Sequence, residues 1–232
     1  MTVTSNSYLT MYDLMQCVTT AQGSWDVTES DANATFKKLT ISNASQNYDV
    51  FDTVRFLQYP NIFDTVKVTT QLQNRNCDGM SLVEQNDGKR ALVLVELKST
   101  YSENNLLKAY QQLIFSLLKA TQLLYLCDDF SLSTYIPIII IGCHGVASEE
   151  KMVELKDFAN KEYQTMKTGK NTFFGKCLPS LLSTGTCTFR LGDLPFLDNL
   201  PLNKNLKCRN VRVVLAAGTD AISSSSTYNL TI

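Results

Sequence analysis

Apolar residues along the chain fall into patterns that predict alternating strands and helices. From residue 104 to 126, leucine, isoleucine and tyrosine recur every three or four positions, as on the buried face of an amphipathic helix. On either side, residues 91–95 and 134–142 form short, continuously apolar runs, which are typical of strands covered on both faces. We therefore predict a buried strand, a long helix and a second buried strand, in that order.

The segments before this unit carry weaker patterns. Apolar residues at helical spacing in 8–23, and acidic residues at the start of 27–39, predict two helices within residues 1–44. Between residues 48 and 70 the apolar positions partly alternate, which predicts two short strands. The order of helix, antiparallel strands, helix and buried strand indicates a mixed sheet flanked by helices.

The C-terminal part is predicted to add further elements. Residues 148–167 have the pattern of an amphipathic helix, with Ser148 as its N-cap and acidic residues behind it. Residues 210–218 predict at least one more strand. The serine-rich residues 223–232 are predicted to form a loose tail.

These elements predict a single α/β domain over residues 1–232, with a mixed central sheet flanked by helices. Its core would span about residues 45–145, preceded by the N-terminal helices of 1–44 and followed by helix and strand additions in 146–222. A chain of 232 residues with 44% hydrophobic and 19% charged residues is ordinary for a globular protein with one such domain.

Charge and cysteine content restrict the expected partners and compartment. The chain has 21 basic and 22 acidic residues, so it lacks the basic excess of strong non-specific nucleic-acid binders, although a local basic face is compatible with this balance. Its seven cysteines never occur as Cys-x-x-Cys and are expected to be reduced thiols of a cytoplasmic protein. No signal peptide is visible, and the longest apolar run, 136–141, is too short to span a bilayer, so no membrane partner is expected.

The segment "NDG" at residues 86–88 predicts a hairpin turn between two strands. If all three residues form the loop, with Gly88 at positive φ, Asp78 lies directly opposite Glu96 on one face of the hairpin. A two-residue loop of Asp87 and Gly88 would shift the pairing by one position and move Asp78 to the other face. We favour the three-residue loop.

Charged residues stand at the end of the apolar strand 91–95. Glu96 and Lys98 share a face because strand residues two apart point to the same side. In the favoured register the carboxylates of Asp78 and Glu96 repel each other, since opposed Cβ atoms lie roughly 4.5–5.5 Å apart. A divalent cation would compensate, because hard cations bind carboxylate oxygens. The alternative is an ordinary solvent-exposed ion pair at a strand end.

An aspartate, a hairpin, Glu-x-Lys at a strand end and a long helix together resemble the PD-(D/E)XK nuclease superfamily, which has the restriction-endonuclease-like fold. The matching residues are Asp78 in "CDG" and Glu96 and Lys98 in "VELK", and seventeen residues separate the two acids. Cys77 stands where the family has proline. The resemblance covers roughly residues 45–145.

The resemblance implies a metal site and a catalytic lysine. Asp78 and Glu96 would hold Mg²⁺ or Mn²⁺, with the backbone carbonyl of Leu97 as a further ligand. Lys98 would orient or help deprotonate the attacking water and stabilise charge on the phosphate. In the family an extra acid on the first helix is often a further ligand, for which Glu29 or Asp31 is a candidate.

The long helix offers possible contacts to substrate phosphate. Some family members carry Gln-x-x-x-Tyr on this helix, and here Gln111 is followed by Phe115, so the motif is half present. The candidate phosphate contacts are Lys108, Gln111, Gln112 and Lys119. For Gln111 and Gln112 we favour instead a solvated helix face.

The expected function is a divalent-metal-dependent nuclease that hydrolyses phosphodiester bonds, with DNA as the first choice of substrate. The only histidine, His144, is poor material for a Ser-His-Asp triad or a zinc site. Alternatives are a non-catalytic nucleic-acid-binding or protein-interaction module on the same fold, and an RNA endonuclease. Cleavage of both strands of a duplex would suit a homodimer.

Overall fold

The computed structural model is a mixed α/β protein in which a strongly curled, half-barrel sheet carries about five helices. The structure describes residues 17–57, 76–85, 87–125, 130–131, 133–145, 148–168, 173–194, 197, 202–217 and 224–232. At this level the predicted class, α/β with a mixed sheet and helices, is confirmed.

The described residues form an eight-stranded sheet of order β1-β2-β3-β4-β5-β7-β6, with β8 paired to β2. The first four strands are antiparallel, whereas β4, β5 and β7 are parallel to one another. The strands are β1 (Val18–Thr28), β2 (Lys38–Phe51), β3 (Gly79–Gln85), β4 (Arg90–Leu97), β5 (Tyr135–Cys143), β6 (Thr186–Arg190), β7 (Asn210–Ala217) and β8 (Ser225–Asn229).

Helices join and cover these strands. The α-helices among the described residues are α1 (Thr53–Phe56), α2 (Glu103–Leu124), α3 (Glu149–Lys167), α4 (Phe173–Thr184) and α5 (Lys204–Lys207). Helix α2 is the long helix predicted from the sequence, and α3 begins as predicted, since the Ser148 side chain accepts a hydrogen bond from the Lys151 N–H (3.2 Å). Within the described ranges, no helix has the length and apolar character needed to cross a membrane.

Strand β4 lies between two apolar clusters, one on each face of the sheet. Leu92 and Leu94 belong to the cluster that contains the buried face of α2, and Val93 and Val95 belong to the cluster on the other face. All four side chains are fully buried. Burial on both faces explains why this strand is continuously apolar instead of alternating.

The hairpin between β3 and β4 adopts the predicted register. Gly79 pairs with Val95, and the Gln85 N–H donates to the carbonyl of Lys89 (2.8 Å). Gly88 has φ 83°, the left-handed conformation expected for the last residue of a three-residue loop. The alternative two-residue loop is therefore excluded.

The prediction of helices in residues 1–44 is wrong for the part that the structure describes. Residues 18–28 and 38–51 form the long antiparallel pair β1 and β2, with an irregularity in the pairing at Gly23. Trp25 and Val27 are buried while their neighbours are exposed, which is the alternation of a strand. The helical spacing of apolar residues on which the prediction relied is therefore coincidental. Residues 1–16 lie outside the described residues.

Two further predictions need correction. The first of the two strands expected between residues 48 and 70 ends at Phe51 and is followed by α1. The second strand was expected within residues 58–75, which lie outside the described residues. The tail 223–232 contains β8, which pairs in parallel with β2, and Leu230 just beyond it is buried. The serine-rich sequence gave no sign of this strand because its pairing depends on contact with a distant segment.

Candidate metal centre at the end of strand β4

The candidate site lies where β3 begins and β4 ends. The Asp78 N–H donates to the carbonyl of Val95 (3.0 Å), just before the regular pairing of β3 with β4 begins at Gly79. The Asp78 carboxylate lies beside the end of β4, close enough to Glu96 for its charge to raise the pKa of that acid. Asp78, Glu96 and Lys98 therefore lie close together at this end of the sheet.

Glu96 is the most deeply buried acid of the site, with 1% of its surface exposed. One oxygen, Oε1, accepts a hydrogen bond from the ammonium of Lys98. The other, Oε2, is buried and has no hydrogen-bond partner among the described residues. A buried carboxylate oxygen without a partner costs free energy, and a bound cation would remove that cost.

Asp78 is held toward the end of β4 by the backbone. Its Oδ2 accepts a hydrogen bond from the Leu97 N–H (2.7 Å). This hydrogen bond connects Asp78 to Leu97, which lies between Glu96 and Lys98 in the sequence. The carbonyl of Leu97 is the further metal ligand that the resemblance implies. The solvent-exposed ion pair considered as an alternative is ruled out, since Glu96 is buried and the Lys98 side chain is only 16% exposed.

The acids of the site are harder to ionise than ordinary carboxyls. Burial raises the pKa of Asp78 to about 6, although its hydrogen bond from Leu97 opposes the shift. Burial, followed by the charge of Asp78, raises the pKa of Glu96 well above its usual value, with Lys98 opposing.

Glu29 contributes a third negative charge to this region. It follows the end of β1, where its N–H donates to the carbonyl of Lys37 (2.8 Å) and its Oε1 accepts from the Asp31 N–H (2.9 Å). The charge of Glu29 raises the pKa of both Asp78 and Glu96. The candidate extra acid is thus within electrostatic range of the pair, but it lies after a strand and not in the predicted helix.

Helix α2 brings one predicted residue into direct contact with the site. Gln112 Oε1 accepts a hydrogen bond from Lys98 Nζ (3.0 Å), and its Nε2 donates to the carbonyl of Asn76 (3.3 Å). The expectation of a solvated face is therefore wrong for Gln112. Its neighbour Gln111 is half-buried, and Lys108 is exposed, as a phosphate contact would need to be.

Lys119 occupies a different place from the one expected. Its side chain is buried, with 2% of the residue exposed, so it is not on an open face of α2. Its Nζ donates to Asn76 Oδ1 (2.9 Å). The sequence analysis did not identify Asn76. The polar residues at helical spacing within the apolar stripe of α2 could have indicated that this helix face contacts a polar segment.

His144 packs on the opposite face of the sheet. Its ring meets Phe36 edge-on, with centroids 5.2 Å apart, and Phe36 belongs to the cluster away from α2. The structure gives it no contact with the acids of the candidate site.

The donor set decides which metal would fit. In the described ranges, no three His, Cys, Asp or Glu side chains are grouped closely enough to form a metal cage by themselves. Two carboxylates and a backbone carbonyl are hard oxygen donors, which suit Mg²⁺ or Mn²⁺ with water completing the shell. The unpartnered Glu96 Oε2 makes the residues present compatible with such an ion.

No family model matches this sequence, and no curated protein or solved structure is significantly similar to it. The functional argument therefore depends on the geometry of the Asp78, Glu96 and Lys98 cluster.

Proposed function

We propose that this chain is a divalent-metal-dependent nuclease that hydrolyses phosphodiester bonds, with DNA as substrate, and that its fold is of the restriction-endonuclease-like, PD-(D/E)XK type. The observation that carries the proposal is the buried Glu96 carboxylate, which has one unpartnered oxygen, faces Asp78 and contacts Lys98. The succession of hairpin, α2 and the parallel strand β5 supports the fold assignment.

A structural role alone accounts poorly for this cluster. Buried ion pairs recover little of the free energy lost on desolvation, and apolar replacements are often as stable or more stable. Here the buried acid also faces a second carboxylate, which raises the cost further. Retention of three such groups at one strand end is explained by a function that needs them charged and close together.

Each residue has a distinct role in the proposed reaction. Asp78, Glu96 and the carbonyl of Leu97 would hold Mg²⁺ or Mn²⁺, which supplies charge neutralisation at the phosphate and a more acidic bound water. Lys98, placed between Glu96 and Gln112, can orient the attacking water and stabilise negative charge on the phosphate oxygens. Exposed Lys108 can contact a neighbouring phosphate.

Cleavage assays with labelled DNA and RNA, in Mg²⁺, Mn²⁺ or EDTA, test this proposal. We expect metal-dependent cleavage by the wild type and a loss of about 10³-fold or more in Asp78→Asn, Glu96→Gln and Lys98→Met. Glu84→Gln is the matched control, since Glu84 pairs with Arg90 (3.2 Å) at the other end of the same hairpin. It should retain cleavage.

The proposal is wrong if the three site variants cut as well as the wild type. Cleavage of RNA but not DNA would retain the site chemistry and change the substrate, because the cluster engages phosphate and not the sugar. Metal binding without cleavage of either polymer would favour the non-catalytic binding module, with which the net charge of −1 is also compatible.

A further inference from the structure

Helix α2 carries three polar side chains along a strip of its buried face. Gln112, Ser116 and Lys119 are spaced by four and three residues, so they lie one above another on the helix. Ser116 is completely buried and Lys119 is 2% exposed, whereas most of the surrounding helix face is apolar. We refer to these three residues as the α2 clamp.

All three clamp residues bind the same two-residue segment, Asn76–Cys77. Gln112 Nε2 donates to the Asn76 carbonyl (3.3 Å), and Lys119 Nζ donates to Asn76 Oδ1 (2.9 Å). The N–H of Cys77 donates to Ser116 Oγ (2.8 Å). The segment is therefore fixed through both backbone and side-chain atoms.

The clamped segment leads directly into the candidate metal centre. Asp78 is the next residue along the chain, and its carboxylate orientation depends on where the backbone enters β3. At its other end the clamp reaches Lys98, because Gln112 Oε1 accepts from the lysine ammonium (3.0 Å). One helix face thus contacts both the residue before the first acid and the lysine of the site.

The buried lysine is costly as a purely stabilising device. Lysine is almost never fully buried without a partner, and desolvation of the ammonium lowers the pKa of Lys119. A methionine of similar volume would fill the same space without that cost. What only a donor at this position supplies is the hydrogen bond that fixes the Asn76 side chain.

We propose that Lys119 and Asn76 are positioning residues for the metal centre: by fixing the entry to β3, they set the placement of the Asp78 carboxylate opposite Glu96 without touching the metal themselves. This inference rests on the proposed metal-dependent function. Outer partners of this kind commonly change metal affinity by 10- to 100-fold when they are removed.

Mn²⁺ affinity of the purified full chain, measured by isothermal titration calorimetry, tests the inference. Lys119→Met should weaken Mn²⁺ binding about 10-fold or more. Gln122→Met is the matched control, because it also replaces a polar side chain by methionine on the same helix, at an exposed position. Its Mn²⁺ affinity should equal that of the wild type.

A second variant and a second readout separate positioning from a general loss of structure. Asn76→Ala removes the other side of the contact at a half-buried position and should weaken Mn²⁺ binding in the same way. For both variants the Mn²⁺ concentration that gives half-maximal cleavage should rise, while the rate at saturating Mn²⁺ stays within a few-fold of wild type. Loss of folding alone would lower that maximal rate without this shift.

The outcomes distinguish the two proposals. If wild type binds Mn²⁺ and both Lys119→Met and Asn76→Ala bind it equally well, the positioning role is overturned and the metal centre stands. If wild type itself does not bind Mn²⁺, the metal centre is overturned and the positioning role with it.

Discussion

At the residue scale, the Glu96 carboxylate is the group that most needs an explanation. It is buried, one of its oxygens has no partner in the described part of the chain, and its neighbour across the hairpin is another acid. Burial, followed by the charge of Asp78, raises the pKa of Glu96, and Lys98 opposes this shift. Without a metal, protonation of Glu96 is what would lower the free-energy cost of burying this carboxylate.

This leads to a prediction about the pH dependence of metal-free stability. The pKa of Asp78 is about 6 in the folded chain against an ordinary value of 3.8. Between these values the folded state keeps a proton that the unfolded chain has lost, so the free energy of unfolding falls as pH rises. We expect Asp78 to contribute a fall of about 3 kcal/mol, and Glu96, whose pKa is also raised, to extend the fall toward higher pH.

Urea unfolding in EDTA at a series of pH values measures this effect against Asp78→Asn. Asparagine can still accept the hydrogen bond from the Leu97 N–H but carries no charge, so the variant should become progressively more stable than the wild type as pH rises through 6. A stability difference that stays constant over that range would contradict the raised pKa.

At the scale of elements, the hairpin of β3 and β4 determines whether the two acids meet. Its register depends on a three-residue loop that ends with Gly88 at φ 83°. One residue fewer in the loop would move Asp78 to the other face, because side chains alternate along a strand. The site is therefore specified by a turn about ten residues away in sequence.

Substitution of Gly88 tests the importance of that turn. A Cβ at this position would meet no atom within 4 Å, so the cost of Gly88→Ala comes from the positive φ alone. We expect a loss of about 1–2 kcal/mol in the free energy of unfolding, measured by urea denaturation. Gly88→Asn should lose less, because asparagine tolerates the left-handed conformation; equal losses would contradict this explanation.

How far the sequence predicts the fold depends on whether a pattern is set locally. Strands β4 and β5 and helix α2 were predictable because burial on both faces, or on one helix face, leaves a complete apolar pattern. Strand β8 was not, since its residues 225–229 have little apolar pattern and acquire their pairing from β2. The prediction for β1 and β2 was wrong because the apolar residues of this segment happened to fall at helical spacing.

The same distinction applies to the candidate site. Asp78, Glu96 and Lys98 could be placed together because turn chemistry and strand alternation fix their register. Lys119 and Asn76 could not, because their contact depends on how α2 is rotated and shifted against the sheet. That arrangement results from packing of the whole apolar face of the helix and is not written in any short motif.

At the scale of the whole molecule, the curled sheet places the cluster of Asp78, Glu96 and Lys98 at the carboxyl end of the central strand β4. β4 is flanked by β3 on one side and β5 on the other, so the cluster is held by neighbours on both sides. The net charge of −1 provides no general attraction for a polyanion. The nucleic-acid binding that we propose would then depend on local cations and on the proposed metal.

The central claim, that a divalent cation binds at Asp78 and Glu96, is tested most directly by thermal unfolding in EDTA, Mg²⁺ and Mn²⁺ at about pH 8, where the carboxyl protons compete least. At a concentration 100 times the Kd, bound Mn²⁺ should stabilise the wild type by about 2.7 kcal/mol. For a chain of this size that corresponds to a rise in Tm of about 5–10 °C. Glu84→Gln should show the same rise, and Asp78→Asn should show none. An unchanged Tm in the wild type, or an equal rise in Asp78→Asn, would contradict the account.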